Sequence, residues 1–304
     1  MKGGGHHMST VAFIGLGNMG LPMAINLKNA GYALTGFDAV PEAMAAAREV
    51  GIATAASVAE AVADADFVVT MLPNGPIVLT VYAQMIPAAR RGAVAVDCST
   101  VDVTSAKKAH ELAAAAGLLA VDAPVSGGTV GASAGTLTFM VGGSREAFEK
   151  VGPILDEMGG RIVHCGDGGA GQAAKICNNM LLGISMIGTC EAFALAEKLG
   201  LSAQAAFDVM STSSGSCWSV NTYCPVPGTG PQSPADNGYK PGFATELMLK
   251  DLGLSQQAAA EAGQATPMGA HALALYRYFE EHGGAGRDFS AIIDYLRTAT
   301  RDVS

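Results

Sequence analysis

Short apolar runs separated by helical patterns fill the first half of the chain. The runs are TVAFIG (10–15), ALTGFD (33–38), FVVTML (67–72), AVAVDC (93–98), LLAVDAPVS (118–126), TLTFMVGG (136–143) and RIVHC (161–165). Most are continuously apolar and bounded by Gly, Asp or Pro, as strands covered on both faces should be. Between the early runs lie segments such as PEAMAAAREVG (41–51), with Pro in the first helical turn and Gly past the end. Repeated strand–helix units predict an α/β, Rossmann-type doubly wound sheet with mainly parallel strands.

After Gly171 the strand pattern stops. Residues 172–200 form one helical pattern, and 202–212, 243–262, 267–283 and 288–299 read as helices too. Between them, CPVPGTGPQSPADNGYKPG (224–242) carries enough Pro, Gly and Asn to be a long loop, of a length that is usually functional or disordered. The pattern therefore predicts an α/β domain over 9–170 and an all-α domain over 171–304. A chain of 304 residues, 49% apolar, has ample material for two cores.

Charge and cysteine usage narrow the function classes. With 18 basic against 27 acidic side chains the net charge is −9, which disfavours nucleic acid as a partner. The most apolar run, MLLGISMIGTC (180–190), has about half of the roughly 20 residues a membrane helix needs and is closed by Glu191, so it reads as a core helix. MKGGGHH resembles an added leader, which places the natural start at Met8 and leaves no room for a signal or transit peptide; a cytoplasmic protein is expected. The six cysteines (98, 165, 177, 190, 217, 224) form no C-x-x-C pair, so the expectation is reduced, mostly buried thiols and no metal site.

The candidate chemistry begins at GLGNMG (15–20), directly after the first strand. Gly15 suits a tight turn, Gly17 close approach of backbone to a pyrophosphate, and Gly20 packing of a helix on the strand, with Leu16, Asn18 and Met19 completing the loop. The helix that follows would offer free N–H groups and a partial positive charge to phosphates. Asp38, 18 residues beyond Gly20, lies where a carboxylate reaches adenosine ribose hydroxyls and repels a 2′-phosphate, which favours NAD over NADP; alternatively it caps the helix at Pro41.

Further strand ends add contacts. Leu72 and Pro73 can line a nucleotide pocket, while Thr100 can bond a nicotinamide or instead cap the next helix. In APVSGG, the trio Ser126, Gly127 and Gly128 exposes several N–H groups at once, which suits a carboxylate, though a plain glycine turn gives the same letters.

Lys175 is the only charged residue between Asp167 and Glu191, and its helical neighbours are apolar. Burying an ammonium costs several kcal/mol unless it is compensated, so the position calls for a reason. Oxidation of an alcohol by NAD supplies one: a hydride leaves carbon while a base takes the hydroxyl proton. A lysine tuned by desolvation and a second cation can be that base. Lys250, in KDLGLS, could be the second cation, and Asn178 and Asn179 share the lysine's side of the helix. No P-loop lysine and no G-x-S-x-G elbow accompany these motifs, which disfavours phosphoryl transfer and serine hydrolysis.

In order and spacing, GLGNMG, the Leu-Pro pair, Thr100, APVSGG, G-x-x-x-K-x-x-N-N and KDL resemble the beta-hydroxyacid dehydrogenase family from about residue 10 to 300. CWSVNTYCPVPG (217–228) and GFATELMLKDLGLSQQA (242–258) are most similar to members acting on 3-hydroxyisobutyrate. The resemblance implies NAD-dependent oxidation of that acid to methylmalonate semialdehyde in valine breakdown, with Lys175 as acid/base. It implies Ser126, Gly127 and Gly128 as a carboxylate cradle, Asn179 as a substrate ligand, and Lys250 beside nicotinamide and substrate. Gly15 to Gly20, Asp38, Leu72, Pro73 and Thr100 become cofactor contacts, and a homodimer or homotetramer is implied. Ile77 departs from the pattern, where related enzymes often have Asn. Two rivals remain, a tartronate semialdehyde or glyoxylate reductase of the same family and a catalytically silent dinucleotide-binding scaffold.

Overall fold

The computed structural model describes residues 9–298; the expected start at Met8 and the chain's last six positions lie outside them. The chain divides into two compact units, one ending at Lys175 and the other beginning at Ile176.

The first unit alternates strands and helices: β1 (Thr10–Ile14), α1 (Gly20–Asn29), β2 (Ala33–Phe37), α2 (Pro41–Glu49), β3 (Ala53–Thr54), α3 (Val58–Val62), β4 (Phe67–Thr70), α4 (Gly75–Met85), β5 (Val94–Asp97), α5 (Val103–Ala115) and β6 (Leu119–Asp122). It continues with β7 (Val125–Ser126), α6 (Gly128–Ala134), β8 (Leu137–Gly142), α7 (Arg145–Asp156) and β9 (Gly159–Gly166). Strand order is β3-β2-β1-β4-β5-β6-β8-β7, with β9 paired to β8. Six strands from β3 to β6 are parallel, whereas β8 runs antiparallel to β6 and β7.

Side chains on β1 alternate between two cores. Val11 and Phe13 join Met23, Leu27, Val151 and Leu155 on one face, while Ala12 and Ile14 join Val68, Tyr82, Met85 and Ala109 on the other. Covering both faces is what makes the strands continuously apolar. The crossovers leave the strand ends of β1, β4, β5 and β6 aligned, with the loops after them forming the site.

The second unit is helical. It holds most of α8 (Ala170–Lys198), then α9 (Ala203–Met210), α10 (Trp218–Asn221), α11 (Thr245–Glu261), α12 (Pro267–Phe279) and α13 (Ile292–Thr298) around Phe193, Tyr276, Phe289, Met248 and Leu252. The loop expected over 224–242 is irregular apart from a short 3-10 turn, Pro234–Asn237, closed by a capping box between Ser233 and Asp236. Buried Asp288 fastens the end of that loop by accepting from the Tyr223 hydroxyl and from the Gly242 and Phe243 amides.

One sequence expectation changes, that of mostly buried cysteines. The run at 180–190 belongs to the long helix expected over 172–200, which spans 29 residues and is long and apolar enough by composition to cross a membrane. Its buried Gln172, Lys175 and Asn179 mark it as a core helix instead. Of the cysteines, only Cys98, Cys190 and Cys224 are buried, and Cys177 is exposed.

Candidate active site

The glycine loop after β1 is held by backbone sterics. Gly15 has φ +95°, and a side chain there would strike the Met71 carbonyl; a side chain at Gly20 would strike the Gly15 carbonyl and the Phe13 ring. Gly17 differs, because nothing lies within 4 Å of where its Cβ would be. The close approach of a pyrophosphate expected at Gly17 meets no protein atom there, beside the first turn of α1. Among the first unit's surface features, a cleft of about 480 Å³ runs beside this loop, lined by Leu16, Gly17, Asn18, Leu21, Ala43 and Ser133 among others. Met19 is the backbone cap of α1.

Asp38 does not cap α2 with its side chain, whose N-cap is Val40. One carboxylate oxygen accepts from the Leu16 amide at 2.7 Å and the other from the Val40 amide at 2.8 Å, so Asp38 ties the end of β2 to the glycine loop. Thr100 is not the cap of α5 either; that position is Asp102, whose side chain accepts from the Ser105 amide. Ile77 follows the α4 cap Asn74, to which its amide donates.

The Leu-Pro segment is anchored from the next strand. The Leu72 amide donates to the Ser99 hydroxyl at 2.8 Å, and the Ser99 amide donates to buried Asp97. Thr70 donates to the same Asp97 oxygen at 2.7 Å, while the other oxygen is buried with no hydrogen-bond partner. Desolvation pushes the Asp97 carboxyl up to about 6, against the hydrogen bonds from Ser99 and Thr70 and with help from nearby Asp122.

The first turn of α8 is clamped onto the strand ends. Asp122, 1% exposed, accepts from the Gly169 amide at 2.7 Å, the Gln172 amide at 2.9 Å and His110 Nε2 at 2.9 Å. A carboxylate at that place also complements the positive end of the helix. Gly171 sits against the Met140 and Asp122 carbonyls where a Cβ would clash at 2.3 and 2.6 Å. Thus fixed, α8 presents Lys175 one turn later: the side chain is buried, 6% exposed, and its ammonium donates to the Val125 carbonyl at 2.8 Å. Val125 directly precedes Ser126, Gly127 and Gly128, the turn into α6, whose glycines have φ +136° and +61°. The first unit therefore brings Lys175 to the Ser-Gly-Gly turn.

In the second unit, buried Asn179 donates to Asp251 and accepts from Asn178, which fixes its amide orientation. Lys250, next to Asp251 on α11, has its amine pushed down by burial, opposed by the Asp251 carboxylate. Sequence reasoning passed over Asp97, Ser99, Asp122, Gln172 and Asp251. A usable signal existed for the first and third: each is a lone carboxylate ending an otherwise apolar strand.

A glycine loop shaped for a dinucleotide at the mouth of a 3-2-1-4-5-6 sheet, followed by a helix that carries a buried amine to the strand leading into the Ser126–Gly127–Gly128 turn, defines an NAD-dependent dehydrogenase. Residues 10–166 match the NAD binding domain of 6-phosphogluconate dehydrogenase, and residues 169–296 match the NAD-binding family of NADP-dependent 3-hydroxyisobutyrate dehydrogenase. A probable 3-hydroxyisobutyrate dehydrogenase of Mycobacterium tuberculosis is 52% identical over 95% of this chain and 98% of its own. An NAD-dependent L-serine dehydrogenase of Pseudomonas aeruginosa is 48% identical, covering 94% and 97%. The solved M. tuberculosis 3-hydroxyisobutyrate dehydrogenase, described with L-serine, superposes with a TM-score of 0.94 over 96% of this chain and all of that one. The chain belongs to the beta-hydroxyacid dehydrogenase family, in which it resembles the 3-hydroxyisobutyrate dehydrogenases.

Proposed function

We propose that this protein oxidises the primary alcohol of 3-hydroxyisobutyrate to methylmalonate semialdehyde, as in valine breakdown, with Lys175 as the acid/base. The observation that carries this is the buried Lys175 ammonium held against the carbonyl next to the Ser126–Gly127–Gly128 turn. Bound NAD supplies the hydride acceptor. In this reading, Ser126, Gly127 and Gly128 hold the substrate carboxylate. The neutral Lys175 amine takes the hydroxyl proton as the carbon–hydrogen bond breaks, leaving the aldehyde. Asn179, its amide fixed by Asp251, orients the alcohol, and Lys250 adds positive charge beside nicotinamide and substrate.

For the cofactor, the loop of Gly15, Leu16, Gly17, Asn18, Met19 and Gly20 faces the pyrophosphate, with the Gly15 and Leu16 amides already given to Phe37 and Asp38; Asp38 faces the adenosine ribose, and Leu72, Pro73 and Thr100 face the nicotinamide half. Asp38 favours NAD because a 2′-phosphate would meet its carboxylate. The division proposed on this reading is a 9–170 cofactor domain and a 171–304 substrate and assembly domain. A cytoplasmic homodimer or homotetramer is proposed, supported by the exposed apolar side chains Leu181 and Leu195 on α8 and Leu199 just past its end.

L-serine, which has the same carboxylate and primary alcohol, is a second reading, favoured by the P. aeruginosa relative and by the serine described with the M. tuberculosis structure. Rates with 3-hydroxyisobutyrate, L-serine and, in reverse, tartronate semialdehyde, each with NAD and NADP, decide among them. The proposal expects the largest kcat/KM for 3-hydroxyisobutyrate with NAD. Preference for tartronate semialdehyde would make the protein a reductase, and no turnover of any would leave the scaffold.

A further inference from the structure

We propose that Gln172 is a positioning residue that sets where Lys175 stands relative to the loop carrying Thr100, an inference that rests on the acid/base role of Lys175. Gln172 is fully buried, and its side chain links elements far apart in sequence. Its side-chain amide donates to the Ser99 carbonyl at 2.7 Å and accepts from the Val101 amide at 3.1 Å, so it grips the backbone on both sides of Thr100. Its backbone amide donates to Asp122, which fixes the helix start. Lys175 follows three residues later on the same helical face.

Other side chains would not bridge in the same way. Glutamine presents a donor and an acceptor side by side on one flat amide at this reach; Asn is one methylene shorter, and Leu fills similar space with neither. Ser99 also receives the Leu72 amide, so one side chain couples α8 to the 99–101 loop and, through Ser99, to the Leu72–Pro73 segment. The proton-accepting amine and the proposed nicotinamide contacts thus share one registration. An interaction lost here moves Lys175 without removing any group that touches substrate.

The test compares Gln172→Leu and Gln172→Glu with wild type and Lys175→Ala. In the cofactor-free protein, acetic anhydride labelling of Lys175, read by peptide mass spectrometry against exposed Lys28, is expected to rise several-fold in Q172L. In the same variant kcat is expected to fall roughly 30–100-fold, the scale of an ångström-sized misplacement, while NAD affinity by titration stays within about threefold. Q172E keeps the acceptor for Val101 and regains a donor for Ser99 only when protonated, so its kcat relative to wild type should climb as pH falls. If Q172L does not fold, the Q172E pH ratio decides. Unchanged Lys175 labelling with kcat within about threefold of wild type, or a flat Q172E ratio, overturns the proposal. An inactive K175A beside such results would sink this inference alone, whereas an active K175A would remove the acid/base reading beneath it.

Discussion

Asp97 and Asp122 end adjacent parallel strands and stand opposite each other in the register of β5 and β6, yet they do different work. Asp122 has both oxygens occupied and holds two amides of the α8 start together with His110. Asp97 takes Thr70 and Ser99 on one oxygen and leaves the other buried without a partner. A buried carboxylate is stabilising only when donors converge on it; otherwise desolvation favours the protonated form. One aspartate therefore anchors the helix that carries Lys175, while the other costs stability to hold the loop beneath Leu72.

Replacing Asp122 by Ala should have the largest effect on folding. Three donors lose their acceptor, at about 1–3 kcal/mol each, so a loss of roughly 3–5 kcal/mol is expected in urea denaturation. Turnover should fall with it, because the first turn of α8 is released. A loss as small as that of a surface substitution would break the comparison.

Asp97→Asn should act in the opposite direction. With its folded-state carboxyl raised to about 6, Asp97 binds its proton more tightly folded than unfolded. Its contribution is thus greatest in acid and is lost as pH rises from about 4 through about 6. The stability of the Asn variant relative to wild type should grow over that window by up to roughly 2–3 kcal/mol, because each tenfold difference in proton affinity between the two states is worth about 1.4 kcal/mol. Thermal unfolding at several pH values measures it, and a difference independent of pH would place Asp97 with Asp122 after all.

Ser99→Ala sharpens the contrast at smaller scale. It removes the acceptor for the Leu72 amide but leaves the Ser99 carbonyl and its bond from Gln172 intact. About 1 kcal/mol is expected, the net worth of one hydrogen bond. NAD affinity should weaken slightly, by roughly two- to fivefold on the same energy scale, through the Leu72–Pro73 segment.

Local chemistry was legible in the sequence and distant chemistry was not. GLGNMG could be read because its spacing directly after a strand is itself the signal and Gly20 packs on Gly15 and Phe13 close by in the chain, and Lys175 because its neighbours in the chain are apolar. The run 118–126 concealed a break at Ala123–Pro124, where β6 ends and β7 begins, and with it the reversal at β8. β3, two residues long, gave no run to read. Asp122 was passed over because its amide partners on α8 lie 47 and 50 residues away, and Gln172 because its partners lie 71 and 73 residues back. Asp38 and Thr100 look like caps by position, yet Val40 and Asp102 hold those places.

The central claim is that the Lys175 amine moves the proton during hydride transfer, and kcat of Lys175→Ala at saturating NAD and 3-hydroxyisobutyrate tests it most directly. The account predicts a fall of about 10²–10⁴, the usual range for loss of a general base, with NAD affinity close to wild type. Turnover at the wild-type rate would contradict it.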